Sequence, residues 1–258
     1  MKTKTTAFIS YQNQEIVSAL KLYGIKTAEV PFFKGKINNP EACHADMQII
    51  GLPYGEIFLI KDNEQFNTTV EELISGDTKI NYTKHGINEF KYPYCVMLNA
   101  AVVGINVFCN TKYTDKYLIG SLLAHNYNII HVNQGYAKCS TAIVSYNAII
   151  TSDKGIASAA KSCGIDVLLI SPRGIYLCEK YEGFIGGASV NLSKNKILFI
   201  GNIDLHTDGE KIRDFCLAHH VTPECLCRHL PLTDIGGAVL RRAAAPDNDN
   251  SELPSINQ

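Results

Sequence analysis

The chemically capable residues of this chain gather in a few short polar segments. Cys139 lies between Lys138 and Ser140, downstream of Asn133-Gln134-Gly135, in surroundings less core-like than those of Cys163 or Cys216. A thiol beside a lysine can ionise more readily and act as a nucleophile; it can equally be a small buried residue, as most cysteines are. His44 and Asp46 stand two apart in Cys43-His44-Ala45-Asp46, so the imidazole can either move protons or be held by the carboxylate at a strand start. Asp234, in Asp234-Ile235-Gly236-Gly237, is either a carboxylate facing a ligand or a turn residue bonded to its own backbone.

A second His-x-Asp, His206-Thr207-Asp208, precedes a helix expected near Gly209. Helix entry with Thr207 or Asp208 as N-cap accounts for it, which leaves His206 and Asp208 as reserve site residues. Cys225, Cys227 and His229 alternate on an expected strand, with His219 and His220 upstream. Their spacing is not that of a zinc finger, and buried cysteines are expected rather than a metal site. Gly183-Phe184-Ile185-Gly186-Gly187 has neither the Gly-x-Gly-x-x-Gly pattern nor a terminal Lys-Ser/Thr. It reads as close backbone approach. No cofactor is called for.

At 258 residues, 46% hydrophobic and 19% charged, the chain can bury a large core and is not disordered as a whole. Twenty-four Lys and Arg against 25 Asp and Glu give a charge of -1, which excludes the basic excess of a general nucleic-acid binder. The longest apolar runs, such as Ala142 to Val144 and Ile197 to Ile200, are far below the roughly 20 residues of a membrane span. Met1 to Thr6 and the short apolar stretch after it do not read as a secretory signal. A cytoplasmic protein is expected, with no nucleic-acid or membrane partner and with homo-oligomerisation left open. The odd total of nine cysteines points to reduced thiols rather than a disulfide framework.

The elements that must position these residues repeat along the chain: strand, turn, strand, helix, strand. The clearest copy has strands Thr141 to Ser145 and Ala148 to Thr151, a helix capped by Asp153 and running to Cys163, a stop at Gly164, and strand Asp166 to Ile170. The copy before it has Ala100 to Val103, Asn106 to Asn110, a helix Asp115 to His125, Asn128 in the stop position, and Ile129 to Val132. The copy after it has Ala188 to Leu192, Lys196 to Ile200, a helix Gly209 to His219 and Glu224 to Cys227. An earlier copy has Asp46 to Ile50, Glu56 to Ile60, a helix Thr69 to Ser75 stopped by Gly76, and Thr78 to Tyr82. Thr6 to Ser10, a helix Asn13 to Tyr23, the stop Gly24 and strand Thr27 to Val30 lack a first strand. Asp234 to Leu240 supplies one with no return strand after it.

Pairing these two ends would close a ring of five units over residues 1 to 242, a single domain, with 243 to 258 a disordered tail. The competing architecture is an ordinary alternating α/β sheet, which needs no hairpin before each helix. In a ring the opening residues of the first strands converge on the axis: His44 and Asp46, Asn99, Cys139, Ser189 and Asp234. The segments Lys61 to Thr68 and Lys84 to Tyr94 fall outside the repeat.

Five such units, with His-x-Asp, a Cys and an acid at unit starts, resemble the pentein or guanidino-group-modifying enzyme superfamily, which includes arginine and agmatine deiminases, dimethylarginine dimethylaminohydrolase and amidinotransferases. The resemblance implies a five-fold pseudosymmetric α/β propeller of ββαβ units, closed between the C-terminal and N-terminal strands. It implies Cys139 as nucleophile, His44 as general acid/base, and Asp46 and Asp234 as carboxylates gripping a small cationic guanidino compound, with Asn99 and Ser189 available to a substrate tail. Around the ring the order is Asp234, His44, Cys139, but the chain starts at a different point from the family pattern. The Gly-rich nucleophile motif near the C-terminus is absent, and Asp234 stands there instead. The expected activity is a hydrolase working through a covalent Cys thiouronium intermediate. The alternative is a non-catalytic scaffold of the same fold that binds a cationic metabolite or a protein.

Overall fold

The structure, a computed structural model, describes residues 5–10, 14–35, 39–74, 78–87 and 90–242. Local signals set most element boundaries. Asp115 Oδ1 accepts from the backbone N–H groups of Tyr117 and Leu118 at 2.9 and 3.2 Å, and Asp153 Oδ1 accepts from Ile156 at 2.8 Å. Each carboxylate satisfies orphan donors of a first helical turn and favours the positive end of its dipole. Gly24 and Gly164 stop their helices at φ +89° and +74°, a conformation that costs glycine little.

In chain order the elements are β1 (Thr5–Ser10), α1 (Gln14–Leu22), β2 (Lys26–Val30), α2 (Ala45–Gln48), β3 (Ile49–Gly51), β4 (Ile57–Leu59), α3 (Glu64–Leu73) and β5 (Ile80–Tyr82). Next come β6 (Ala101–Val103), β7 (Asn106–Cys109), α4 (Lys116–Ala124), β8 (Asn128–His131), β9 (Thr141–Ser145), β10 (Ala148–Thr151), α5 (Lys154–Ser162) and β11 (Asp166–Leu169). The chain continues through β12 (Ile175–Cys178), β13 (Tyr181–Glu182), β14 (Ser189–Ser193), β15 (Lys196–Asn202), α6 (Gly209–Ala218), β16 (Thr222–Thr233) and β17 (Ala238–Arg242).

Among the described residues the strands form five small sheets. Three are β3-β4-β5, β6-β7-β8 and β9-β10-β11, each an antiparallel hairpin followed by a parallel strand across a helix. The chain ends pair as their patterns require: β17 runs antiparallel to β1, with Phe8 opposite Val239, and β2 is parallel to β1. The core lies between neighbouring units. Ala101, Val103 and Phe108 of one pack with Ile149, Ile156 and Ala160 of the next. Phe8 and Val30 likewise pack with Ile49, Leu59 and Phe66. Each fully buried Ile, Leu or Phe contributes about 1.5–3 kcal/mol. Ile49 and Ile50, Val102, Ile143 and Val239, all from first strands, surround a cavity of about 370 Å3.

Several expectations are corrected. Asp46 is not in a strand: residues 45–48 form the single helical turn α2, and β3 begins only at Ile49. The Gln48 side chain donates to the carbonyls of Pro31 and Ala42, which holds that turn closed. The helix expected from Thr69 starts at Glu64, so most of Lys61 to Thr68 is helix rather than loop; its expected stop, Gly76, lies outside the described residues, as do Asn13 and the tail 243–258. The stop of α4 is Asn126, at φ +60°, not Asn128; asparagine tolerates this region better than most residues.

The fourth unit is larger than the repeat implies. β12 and β13 form an extra hairpin, and β16 is long enough to pair with β15 and then with β12, giving a sheet ordered β13-β12-β16-β15-β14. Within β16, Cys227 has φ +54°, so Cys225 and Cys227 join different apolar clusters instead of sharing a face.

Candidate functional site

The site is assembled from three turns that precede strands or helices. Pro40–Cys43 forms a 3-10 turn, capped by Asn39 Oδ1 accepting from Glu41 N–H at 3.0 Å. His44 leaves that turn extended and opens α2, which places Asp46 two residues further along the same buried corner. Asn99 lies just before β6. Cys139 sits in the tight turn before β9, where Ser140 N–H donates to Tyr136 O at 2.9 Å.

Asn99 clamps the turn that carries Cys139. Its Oδ1 accepts from Lys138 N–H at 2.7 Å and Cys139 N–H at 3.2 Å. Its Nδ2 lies 3.1 Å from Cys139 Sγ and 3.3 Å from the Asp46 carbonyl oxygen. Cys139 Sγ in turn donates to Asp46 Oδ2 at 2.9 Å. Asp46 Oδ1 is buried with no partner among the described residues.

Asp234 approaches from the other side. Its Oδ2 accepts from Phe184 N–H at 2.8 Å and its Oδ1 from Gly236 N–H at 2.9 Å, with Oδ1 3.8 Å from His44 Nδ1. The glycines here are required by space. A Cβ on Gly187 would lie 1.9 Å from Asp234 Oδ1, and one on Gly186 would lie 2.3 Å from Lys138 O. Gly236, at φ +72°, leaves no room beside His44 Cβ.

His44, Cys139 and Asp234 line one cavity of about 10 Å3 together with Glu41, Met47, Tyr136, Leu177 and Phe184, a volume at the lower limit for one water. Tyr136 is its roof. Its ring is stacked between Tyr92 and Phe184, at centroid distances of 5.5 and 5.8 Å, and its hydroxyl donates to Glu41 Oε2 at 2.9 Å. A second cavity of about 210 Å3 lies across His44, Leu177 and Asp234, lined also by Ser10, Pro40, Tyr176 and Thr233.

Electrostatics favour a neutral thiol at Cys139. Burial pushes Cys139 well above its ordinary value, with the Asp46 and Asp234 charges acting in the same direction. Lys138 pulls it down, as expected of a neighbouring ammonium, but too weakly to reverse the net rise; its Nζ donates to Gly186 O at 3.1 Å. Burial also raises Asp46, to about 6, against the pull of Lys138 and His44.

Of the residues singled out in the sequence, His44, Asp46, Asn99, Cys139 and Asp234 come together. Ser189 does not line the small cavity; it sits on β14, its hydroxyl 3.5 Å from Gly186 O. His206 and Asp208 lie elsewhere, at the entry of α6: His206 Nδ1 accepts from Asp208 N–H at 3.0 Å, and Asp208 holds Ser171 N–H and Lys211 Nζ. Glu41, Tyr136, Leu177 and Phe184 were not anticipated. The alternation Ile175-Tyr176-Leu177-Cys178 was the signal for the strand that carries Leu177. Among the described residues, no group of three or more His, Cys, Asp or Glu is placed to hold a metal ion, and no helix is long and apolar enough to cross a membrane.

Comparison with solved structures places the fold in a known class. An agmatine deiminase from C. jejuni superposes with a TM-score of 0.54 at 10% identity, covering 93% of each chain. The same enzyme with substrate bound gives 0.52 at 11% identity over 87% of each. A putative peptidyl-arginine deiminase gives 0.50 at 9% identity, covering 95% of this chain and 97% of that one. The fold is that of the pentein, or guanidino-group-modifying enzyme, superfamily. At the level of sequence, the chain belongs to the family described as "Family of unknown function (DUF6873)", whose model matches residues 8–239. A search of curated proteins returns no match.

Proposed function

We propose that this protein hydrolyses a small guanidino or amidino compound through a covalent intermediate on Cys139, and that its five sheets are the blades of a five-fold α/β propeller with this site at one end of the axis. The observation that carries the reading is the buried junction of Cys139, Asp46, His44 and Asp234, three of which face one cavity. A guanidinium is planar, cationic and rich in N–H donors, so carboxylates on two sides suit it. The unpartnered Asp46 Oδ1 is an acceptor of the required kind.

In this mechanism the arriving cation stabilises the Cys139 thiolate, and the thiol proton passes to His44. Sγ attacks the guanidinium carbon, and a C–S bond forms. The neutral adduct collapses as His44 returns the proton to a leaving nitrogen, so the C–N bond breaks and ammonia or an amine departs, leaving a thiouronium. Water gives a proton to His44 as its oxygen attacks the same carbon. The C–S bond then breaks, His44 reprotonates the thiolate, and the protonated urea product passes its proton to the released ammonia. The balance is guanidinium plus water to a urea plus ammonium. Asn99 Nδ2, 3.1 Å from Sγ, is a donor aimed where the negative charge develops.

The test is brief exposure to chloroacetamidine followed by peptide mapping. The expected result is one adduct, at Cys139, suppressed by excess small guanidines. Scattered labelling that spares Cys139 would overturn the reading. A second reading, a binding scaffold without turnover, is favoured by the small closed cavity and the protonated thiol. It requires that guanidines bind to the protein while Cys139 stays unmodified.

A further inference from the structure

Four lysines border a cleft that the proposed chemistry does not use. Its volume is about 710 Å3, and Lys61, Lys79, Lys84 and Lys116 line it where β4 and β5 of one unit face α4 of the next. That size falls within the range of small-molecule sites, about 300–1,000 Å3. No lining residue is shared with the cavities at Cys139 and His44. His125 borders the cleft as well, its ring stacked on Tyr54 at 3.7 Å, and adds positive charge when protonated.

The acids nearby already have their donors. Glu56 is the one carboxylate in the lining among the described residues. It is buried and accepts from Lys79 Nζ at 2.8 Å, Asn81 Nδ2 at 2.9 Å and Ser121 Oγ at 2.7 Å. Although burial works against it, the bonds from Lys79 and Ser121 hold its pKa below the usual carboxylate range. Asp115, the cap of α4, accepts from three backbone N–H groups, that of Lys84 among them at 2.8 Å. Glu64 and Glu71 line a neighbouring groove that Lys61 also borders, and Glu71 is bonded by the Tyr82 hydroxyl. Among the described residues Lys61 and Lys84 have no ion-pair partner, and Lys116 Nζ donates to a backbone carbonyl, Thr111 O, at 2.9 Å. Thr83 Oγ1 accepts from Lys61 N–H at 3.1 Å and donates to His85 O at 2.8 Å, so the fold sets the backbone from which these ammoniums extend.

Four ammoniums around one concavity repel one another, and an anion that fills it removes the repulsion. The kind of cation identifies the anion. Lysine is a compact point charge that suits phosphate oxygens, whereas planar carboxylates are gripped best by the arginine fork. Among the described residues the lining has four lysines and no arginine, and four point charges match more than one phosphate group.

We propose that this cleft binds a small metabolite carrying a di- or triphosphate, held by Lys61, Lys79, Lys84 and Lys116 at a site separate from that of Cys139. The proposal stands whether or not Cys139 is a nucleophile.

The experiment is isothermal titration of the full chain, at neutral pH and fixed moderate salt, with orthophosphate, pyrophosphate, tripolyphosphate and citrate. Pyrophosphate and tripolyphosphate should bind at least about 10-fold more tightly than orthophosphate or citrate. Lys61→Ala and Lys84→Ala, both at exposed side chains, should each weaken tripolyphosphate about 10-fold, as for loss of one charged hydrogen bond. Lys154→Ala, on α5, should leave it unchanged. ADP binding more tightly than pyrophosphate assigns the cleft to a nucleotide, and weaker binding assigns it to a free polyphosphate; either upholds the site. Equal binding of all the anions, or Lys61→Ala and Lys84→Ala behaving like Lys154→Ala, overturns it. Tighter binding of an RNA oligonucleotide than of any small phosphate overturns it too.

Discussion

Replacing Asp46 by Asn takes one buried carboxylate out of the site, and the pH dependence of folding should report its loss. Burial is the largest influence on this group and raises it from 3.8 to about 6, with Lys138 and His44 pulling the other way. In the unfolded chain the same carboxyl titrates near its ordinary value of about 3.9. Between those two values the native state holds a proton that the unfolded state has lost. The stability contributed by Asp46 is therefore fully present below about pH 4 and disappears as the pH rises through about 6. Roughly two pH units at about 1.4 kcal/mol each amount to about 3 kcal/mol. The assay is urea unfolding of the wild type and D46N at intervals from about pH 4 to about pH 8, and the difference between the two proteins cancels carboxylates they share. Across that range the wild type should lose about 3 kcal/mol relative to D46N. A difference that stays flat with pH, or moves in favour of the wild type as pH rises, would show that burial does not dominate the titration of Asp46 and would refute this reasoning.

Gly187→Ala should destabilise the fold by about 2 kcal/mol and abolish amidine labelling of Cys139, because its Cβ would fall 1.9 Å from Asp234 Oδ1; thermal unfolding and peptide mapping check both. In the absence of any guanidine, a neutral alkylating agent such as iodoacetamide at about pH 7–8 should modify the half-buried Cys163, Cys178, Cys225 and Cys227 before Cys139, whose thiol is held protonated by burial. Preferential loss of Cys139 to iodoacetamide would contradict that protonation state.

Where local chemistry and fold agree, the sequence is transparent. Asp153 and Gly164 bracket a helix at the expected places, and the leftover strands at the chain ends pair as their apolar patterns require. The gathering of His44, Asp46, Asn99, Cys139 and Asp234 is legible for the same reason: each stands at the start of a repeating unit. What escapes is set by packing rather than period. The sequence Asp46-Met47-Gln48 serves equally as strand or turn of helix, and Gln48 decides for the helix by reaching Pro31 and Ala42, distant in sequence. The roof escapes because Tyr136, Phe184 and Glu41 come from loops and turns whose approach depends on the glycine-lined crossing of residues 183–187 over Asp234. Ser189 shares the position of the other unit starts, yet Gly186 and Gly187 intervene between it and the site, so its hydroxyl bonds to their backbone.

On the proposed function, the charges of the site are half of a larger arrangement. Two buried carboxylates and a thiol share a corner in which the nearest ammonium, that of Lys138, donates to a backbone carbonyl. Such a corner keeps the thiol protonated and therefore unreactive toward neutral electrophiles. On the proposed function, a bound guanidinium would change the sign of the local field. It would stabilise ionised Asp46 and thiolate together beside the Asn99 amide, which points at sulfur. Nucleophilicity would then be conditional on occupancy by a cation, so Cys139, one of five buried cysteines, would need no separately lowered pKa to be chosen.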